Sequence, residues 1–146
     1  MWCLTTSPDN FARTAARDFS VQGIKSRRRP TAAKLTPGDK LIYYVTGHVA
    51  FAATVEVTST YFEDHELIWT SKPGEDYPWR VEISPEVTLT DPAQWVPAEE
   101  LYESLTFVKK WPRENWKLAF QGNIREWPAA DYHVVTEALR AAQAAA

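Results

Sequence analysis

Residues Lys40–Thr46 constrain the fold most. Leu41, Tyr43 and Val45 alternate with Ile42, Tyr44 and Thr46, so the strand they predict is apolar on both faces. Such a strand lies between two covering layers, not on an open sheet. The chain has 146 residues in which to build that cover. This length reads as a single domain, residues 1–146, able to form its core without disulfides or a metal. The apolar material is ample: 45% of residues are hydrophobic, with seven Trp, six Tyr and six Phe. Cys3 is the single cysteine, which excludes an intrachain disulfide and a CxxC metal knuckle.

The flanking segments complete an α+β pattern. Trp2–Thr6 reads as a strand. Ser7-Pro8 then opens a helix, with Ser7 placed to accept the first free N–H groups and Pro8 at the first helical position. Phe11, Ala12, Ala15, Ala16 and Phe19 form its predicted apolar stripe. Gln22–Pro30 reads as a basic loop, Thr31–Leu35 as a short helical turn, and Thr36-Pro37-Gly38-Asp39 as a turn. Phe51–Thr58 alternates as a strand with one wet face, and Glu66–Thr70, Trp79–Ser84 and Glu86–Leu89 read as further short strands. Pro97–Leu105, Pro112–Phe120 and Pro128–Ala142 read as helical segments, ahead of a frayed Ala-rich tail at Ala141–Ala146. A strand, a helix, several antiparallel strands and then helices predict a curled sheet or small barrel with helices outside.

Charge divides the chain. Residues 1–40 hold eight Lys/Arg against three acids, net +5; the other 106 hold eight against sixteen, net −8. A local basic surface is what neutralises phosphates, whatever the global charge of −3. The start MWCLTTSPD lacks a basic n-region and a long apolar run, and no stretch approaches a membrane span, so the expectation is a cytoplasmic chain with no membrane partner.

Catalytic and cofactor motifs do not surface. There is no GxxxxGK[ST], GxGxxG or GxSxG, and His48, His65 and His133 are spaced apart from one another and from Cys3. No metal and no cofactor is expected. Cys3 in an apolar strand reads as a buried, inert thiol. Asp64, Glu66, Glu75 and Asp76 read as a solvated rim, with a carboxylate pair as the catalytic alternative.

Two features rise above this background. Lys25-Ser26-Arg27-Arg28-Arg29 packs four cations into five residues, near Arg13 and Arg17. It reads as a solvated loop or as a phosphate-binding loop. The second is a set of aromatics, Tyr61, Phe62, Trp69, Tyr77 and Trp79, around Pro73-Gly74. They read as core or as a slot that stacks a flat base. Together, a basic loop and an aromatic slot are the composition of a nucleotide reader.

Four blocks then resemble the EVE domain, a member of the PUA-like superfamily related to YTH readers of methylated RNA. They are Trp2–Phe11 (WCLTTSPDNF), Thr36–Gly47 (TPGDKLIYYVTG), Tyr77–Ile83 (YPWRVEI), and Leu105–Val108 through Phe120–Arg125 to Asp131-Tyr132. They run in the family's order over residues 2–140.

The resemblance implies a curved mixed β-barrel of five to six strands, helices outside, and a pocket that holds a modified base of DNA or RNA without chemistry. The implied base pocket is Thr6, Ser7, Gln22, Gly23, Ile24, Ser26, Trp69, Tyr77 and Trp79. The implied phosphate contacts are Lys25, Arg27, Arg28 and Arg29. Gln22 and Ser7 depart from the family, where many members carry Trp and Asn; a Gln hydrogen-bonds a base edge but stacks poorly. Alternatives are an ASCH-like nucleoside hydrolase using Lys25 or Lys40 with Glu66, or a protein-interaction domain.

Overall fold

The computed structural model describes residues 1–70 and 72–145. Its strands are β1 (Trp2–Thr6), β2 (Val21–Ile24), β3 (Lys40–Val45), β4 (Ala50–Val57), β5 (Phe62–Glu63), β6 (Trp79–Thr88), β7 (Val96–Pro97) and β8 (Ile124–Glu126). The α-helices are α1 (Pro8–Ala16), α2 (Arg29–Ala32), α3 (Ala98–Leu101) and α4 (Ala129–Ala144). The main path of the sheet runs β2-β6-β4-β3-β1-β8, with β5 added to β6 and β7 to β4. Among the described residues only β1 and β3 pair in parallel, from Trp2↔Leu41 to Thr6↔Val45; the other pairings are antiparallel. This is the expected mixed α+β architecture, as a curled half-barrel.

Two register shifts curl the sheet, at Tyr43/Tyr44 between β3 and β4 and at Thr54/Val55 between β4 and β6. Pro85 lies at the second. A proline cannot donate to a ladder, and a bulge is where a sheet tolerates one. The two strands read on either side of Pro85 are therefore one bent strand, β6. Strand β3 is buried on both faces, as its sequence requires. The wet face expected of Phe51–Thr58 is confined to its end: Glu56 is half-buried and Thr58 exposed, but Ala52 and Thr54 are fully buried, because β4 is a central strand that also carries α4 against it.

Ser7 caps α1 as expected, its Oγ accepting the Asn10 N–H at 3.1 Å. The buried face differs from the predicted stripe. Asn10, Phe11 and Thr14 are buried, while Ala12 and Ala16 are exposed. Asp18 and Phe19 take positive φ, so the helix ends before Phe19. The two polar residues go inside because each has partners there: Asn10 bonds the Thr70 backbone, and Thr14 Oγ1 accepts from Trp69 Nε1.

Helix α4 runs through Ala144, and Ala146 lies outside the described residues. No helix among the described residues is long and apolar enough to cross a membrane.

Asp131, in the first turn of α4, is fully buried. Its carboxylate accepts the Thr106 and Phe107 N–H groups at 2.7 and 2.9 Å. These bonds fix the start of the chain stretch that leads, through the short helical turns at Phe107–Lys110 and Arg113–Phe120, to Phe120–Asn123. Asp131→Ala leaves those donors without their acceptor and is expected to lower stability by about 2–4 kcal/mol. Chemical denaturation measures it; an unchanged midpoint would show that this anchor does not matter.

Candidate functional site

The ends of the main path, β2 and β8, share no ladder among the described residues. They approach closely all the same. Lys25, just after β2, donates its backbone N–H to Asn123 Oδ1 at 3.0 Å, just before β8. The Asn123 carbonyl accepts from Thr5 N at 2.9 Å. One asparagine thus ties β1, β8 and the exit of β2.

A cavity of about 470 Å³ opens at this seam. Its wall includes Thr6 and Ser7 from the end of β1, Asn10 of α1, Gln22 of β2, Lys25, Arg27, Trp69, Tyr77, and Phe120 to Asn123. A volume of this order suits a single small ligand.

Of the residues singled out in the sequence, the fold brings Thr6, Ser7, Gln22, Lys25, Arg27, Trp69 and Tyr77 together around this cavity. Gly23, Ile24, Ser26, Arg28, Arg29 and Trp79 do not line it. Ile24 is fully buried in the main core. Gly23 lies beneath Trp69: a Cβ there would sit 2.5 Å from the indole ring. Trp79 points to the basic turn, donating its Nε1 to the Ser26 carbonyl at 2.7 Å while the Arg29 guanidinium lies 4.9 Å from its ring centroid. It braces the turn instead of walling the slot. Asn10, Phe120 and Asn123 were missed; isolated asparagines and a phenylalanine in an amphipathic segment carry no signal in sequence.

Gln22 is not in a loop. It belongs to β2, pairs with Val81, and is 3% exposed. Its Oε1 accepts the Tyr43 hydroxyl at 2.7 Å, and its Nε2 donates to the Gly23 carbonyl at 2.8 Å. Trp69 is 3% exposed and donates its Nε1 to Thr14 Oγ1 at 2.9 Å. Both cavity side chains are therefore held by the protein.

The expected strand at Glu66–Thr70 does not form. Side chains replace its ladder. Asn10 donates Nδ2 to the Thr70 carbonyl at 2.8 Å and accepts Thr70 N at 2.9 Å. Arg13 donates to the Ile68 carbonyl at 3.2 Å. Arg80, 1% exposed, donates to the Glu66 and Tyr77 carbonyls and lies 3.5 Å from Asp64. Arg80 is thus buried, while Glu82 and Ser84, which alternate with it on the same side of the strand, are exposed.

The acidic rim is used ion by ion. Glu66 pairs with Arg17, Glu75 with Lys25, and Asp76 with His65. Lys40 is held by Glu56 and Glu86, and neither Lys40 nor Glu66 lines the cavity. The residues nominated for hydrolysis are thus separated. Burial pushes the Cys3 thiol up, with the Asp131 charge adding, which keeps it protonated. Among the described residues, no His/Cys/Asp/Glu cluster is placed to hold a metal.

The EVE domain matches residues 1–137. A UPF0310 protein of Pyrococcus abyssi is 31% identical over 148 residues, covering 94% of this chain and 98% of the relative. The chain belongs to the EVE domain family. The YTH domain of a Zygosaccharomyces rouxii protein, solved in complex with N6-methyladenosine RNA, superposes with a TM-score of 0.65 at 15% identity, covering 95% of this chain and 86% of that one. The DUF55 domain of human thymocyte nuclear protein 1 superposes at 0.59 and 14% identity, over 95% and 98%. At these identities the likeness is one of fold.

Two predictions follow from the geometry of this EVE domain. Gln22→Ala orphans the buried Tyr43 hydroxyl and is expected to cost about 1–3 kcal/mol. The double variant Q22A/Y43F should cost less than the sum of the two single changes; strict additivity in denaturation would show that the pair is not coupled.

His65 sits between Glu63 and Asp76, 2.7 Å from each. Hydrogen bonds to Glu63 and then Asp76 raise its pKa above the ordinary 6.5. The clasp therefore contributes fully below 6.5 and is lost as pH rises through the raised value. An NMR titration is expected to place His65 above 6.5 and to show the amides of residues 64–77 exchanging faster once it is neutral. Titration at or below the ordinary value would remove the clasp.

Proposed function

We propose that this EVE domain is a non-catalytic reader that holds one modified base of a nucleic-acid strand in the seam cavity. The observation that carries the reading is the lining of that cavity. The rings of Trp69, Tyr77 and Phe120 meet the polar groups of Ser7, Asn10, Gln22 and Asn123 in one space, with the cations Lys25 and Arg27 in the same wall. Flat rings suit a base's faces, amides and hydroxyls suit its edge, and cations suit flanking phosphates. The YTH neighbour solved with N6-methyladenosine RNA shares the fold, which supports the same use of it.

The cations divide by what they already hold. Lys25 is paired with Glu75 at 3.1 Å, and Arg29 lies over Trp79. Arg27 is exposed in the cavity wall and takes the role of a phosphate contact most directly. Hydrolysis by Lys25 or Lys40 with Glu66 lacks an assembled set, since Lys25 alone of the three lines the cavity.

The test is fluorescence anisotropy with single-stranded DNA and RNA oligonucleotides carrying one methylated or otherwise modified base, against plain controls. Mass spectrometry of nucleosides that co-purify with the protein chooses the panel. Arg27→Ala is expected to weaken all oligonucleotides alike and to lower the salt slope by about 0.7. Trp69→Leu is expected to lose about 1–3 kcal/mol of affinity for the preferred base, with its fold checked by circular dichroism. Binding with no base preference across the panel would sink the reader function.

A further inference from the structure

Two guanidinium groups meet beside Gly122, at the rim of the seam cavity. A Cβ built on Gly122 would lie 2.7 Å from an Nη of Arg28 and 3.9 Å from Nε of Arg125. Neither arginine has a carboxylate partner among the described residues. Arg28 Nε is buried and has no hydrogen-bond acceptor. Arg125 donates its Nε to the Gln121 carbonyl at 2.7 Å and rests 5.5 Å from the Trp111 ring centroid, which fixes the group and leaves its terminal nitrogens without a described acceptor.

This arrangement is unfavourable as it stands. A buried N–H without an acceptor costs free energy, and two like charges held near one point repel. An anion with several oxygens placed between the two groups offsets the repulsion and supplies acceptors for their terminal nitrogens. A phosphate offers them in the geometry that arginine forks accept.

Gly122 keeps the approach open, because it has no side chain to place between the two groups. Its φ of +82° is one that other residues rarely adopt. The surroundings are basic as well: residues 109–125 hold Lys109, Lys110, Arg113, Lys117 and Arg125 against Glu114 alone. The acidic balance of the last 106 residues conceals this stretch.

We propose that Arg28 and Arg125 form one phosphate site at Gly122. In the reader it takes the phosphodiester next to the base in the cavity. The owner of the phosphate rests on the function proposed above; the site itself does not. Arg125 joins the binding surface, and the strand then passes from Arg27 over Gly122 toward Trp111.

The experiment has two arms, run on the full chain with R28Q, R125Q and the double variant. In the first, thermal unfolding is followed in inorganic phosphate and in chloride at equal ionic strength. Phosphate is expected to raise the melting temperature of the wild type beyond chloride and to lose that effect in each variant. In the second, mixed-sequence 12-nucleotide single strands are titrated across salt. Each single variant is expected to lower the slope of log K against log salt by about 0.7, and the double by no more, since both arginines hold one phosphate.

A drop near 1.4 in the double variant would mean two separate phosphates and would overturn the shared site, as would loss in R28Q alone. If oligonucleotides do not bind while phosphate protection still depends on Arg125, the reader function falls and the site stands for a small phosphate-bearing ligand. A slope change without protection by free phosphate assigns the site to backbone phosphates. No protection and no slope change removes the site.

Discussion

The failure of the sheet to close is the constraint from which the rest follows. A barrel closed by a β2–β8 ladder would satisfy every edge group and fill its interior with side chains. Here the two edges meet at a side chain instead: Asn123 takes the Lys25 N–H through its amide and the Thr5 N–H through its carbonyl. An amide side chain satisfies the same backbone groups as a strand but does not extend along the edge. The gap it leaves is the cavity. The site is thus a consequence of sheet topology, and its polar lining is what an unpaired edge supplies.

The same substitution of side chain for strand builds the opposite wall. Residues 64–70 and 72–77 carry Trp69 and Tyr77 to the cavity without a ladder, held by Asn10, Arg13 and Arg80. A buried guanidinium is costly unless its donors are met, and Arg80 meets two carbonyls and the Asp64 carboxylate, with the Trp69 ring 5.1 Å away. The wall is thus hung on a few strong points. The His65 clasp between Glu63 and Asp76 is one such point at the surface.

These dependencies explain what could be read from sequence. Alternation found β3, β4 and the first half of β6, because an apolar face repeats every second residue whatever it packs on; β1 was legible as a short apolar run. The chain order of the blocks found the family. The block Tyr77–Ile83 contains Arg80, and alternation groups it with Glu82 and Ser84, since periodicity sees polarity and not the carbonyls waiting within. Gln22 sat beside a run of cations and read as loop, although a glutamine whose amide meets a tyrosine hydroxyl is a sound strand residue. The basic stretch around Arg125 was lost to averaging over an acidic two-thirds of the chain. In each case the missing information was a partner distant in sequence.

Gly23 shows how the cavity is held ready before a ligand arrives. With a Cβ at 2.5 Å from the Trp69 ring and 2.9 Å from Tyr77 Cβ, no other residue leaves the indole where it is. The ring is pressed onto β2 by that contact, held at its Nε1 by Thr14, and packed with Ile68 and Tyr77 in a small cluster of its own. Gln22, the preceding residue, is fixed from the other side by Tyr43. A ligand therefore meets an aromatic surface and an amide whose positions cost it no further ordering. Preorganisation of this kind lowers the entropic cost of binding and leaves more of the contact energy to discriminate one ligand from another. The adjacent pair Gln22-Gly23 does both jobs because successive residues of a strand face opposite ways: one turns its amide toward Tyr43 and the cavity, and the other clears room for the ring.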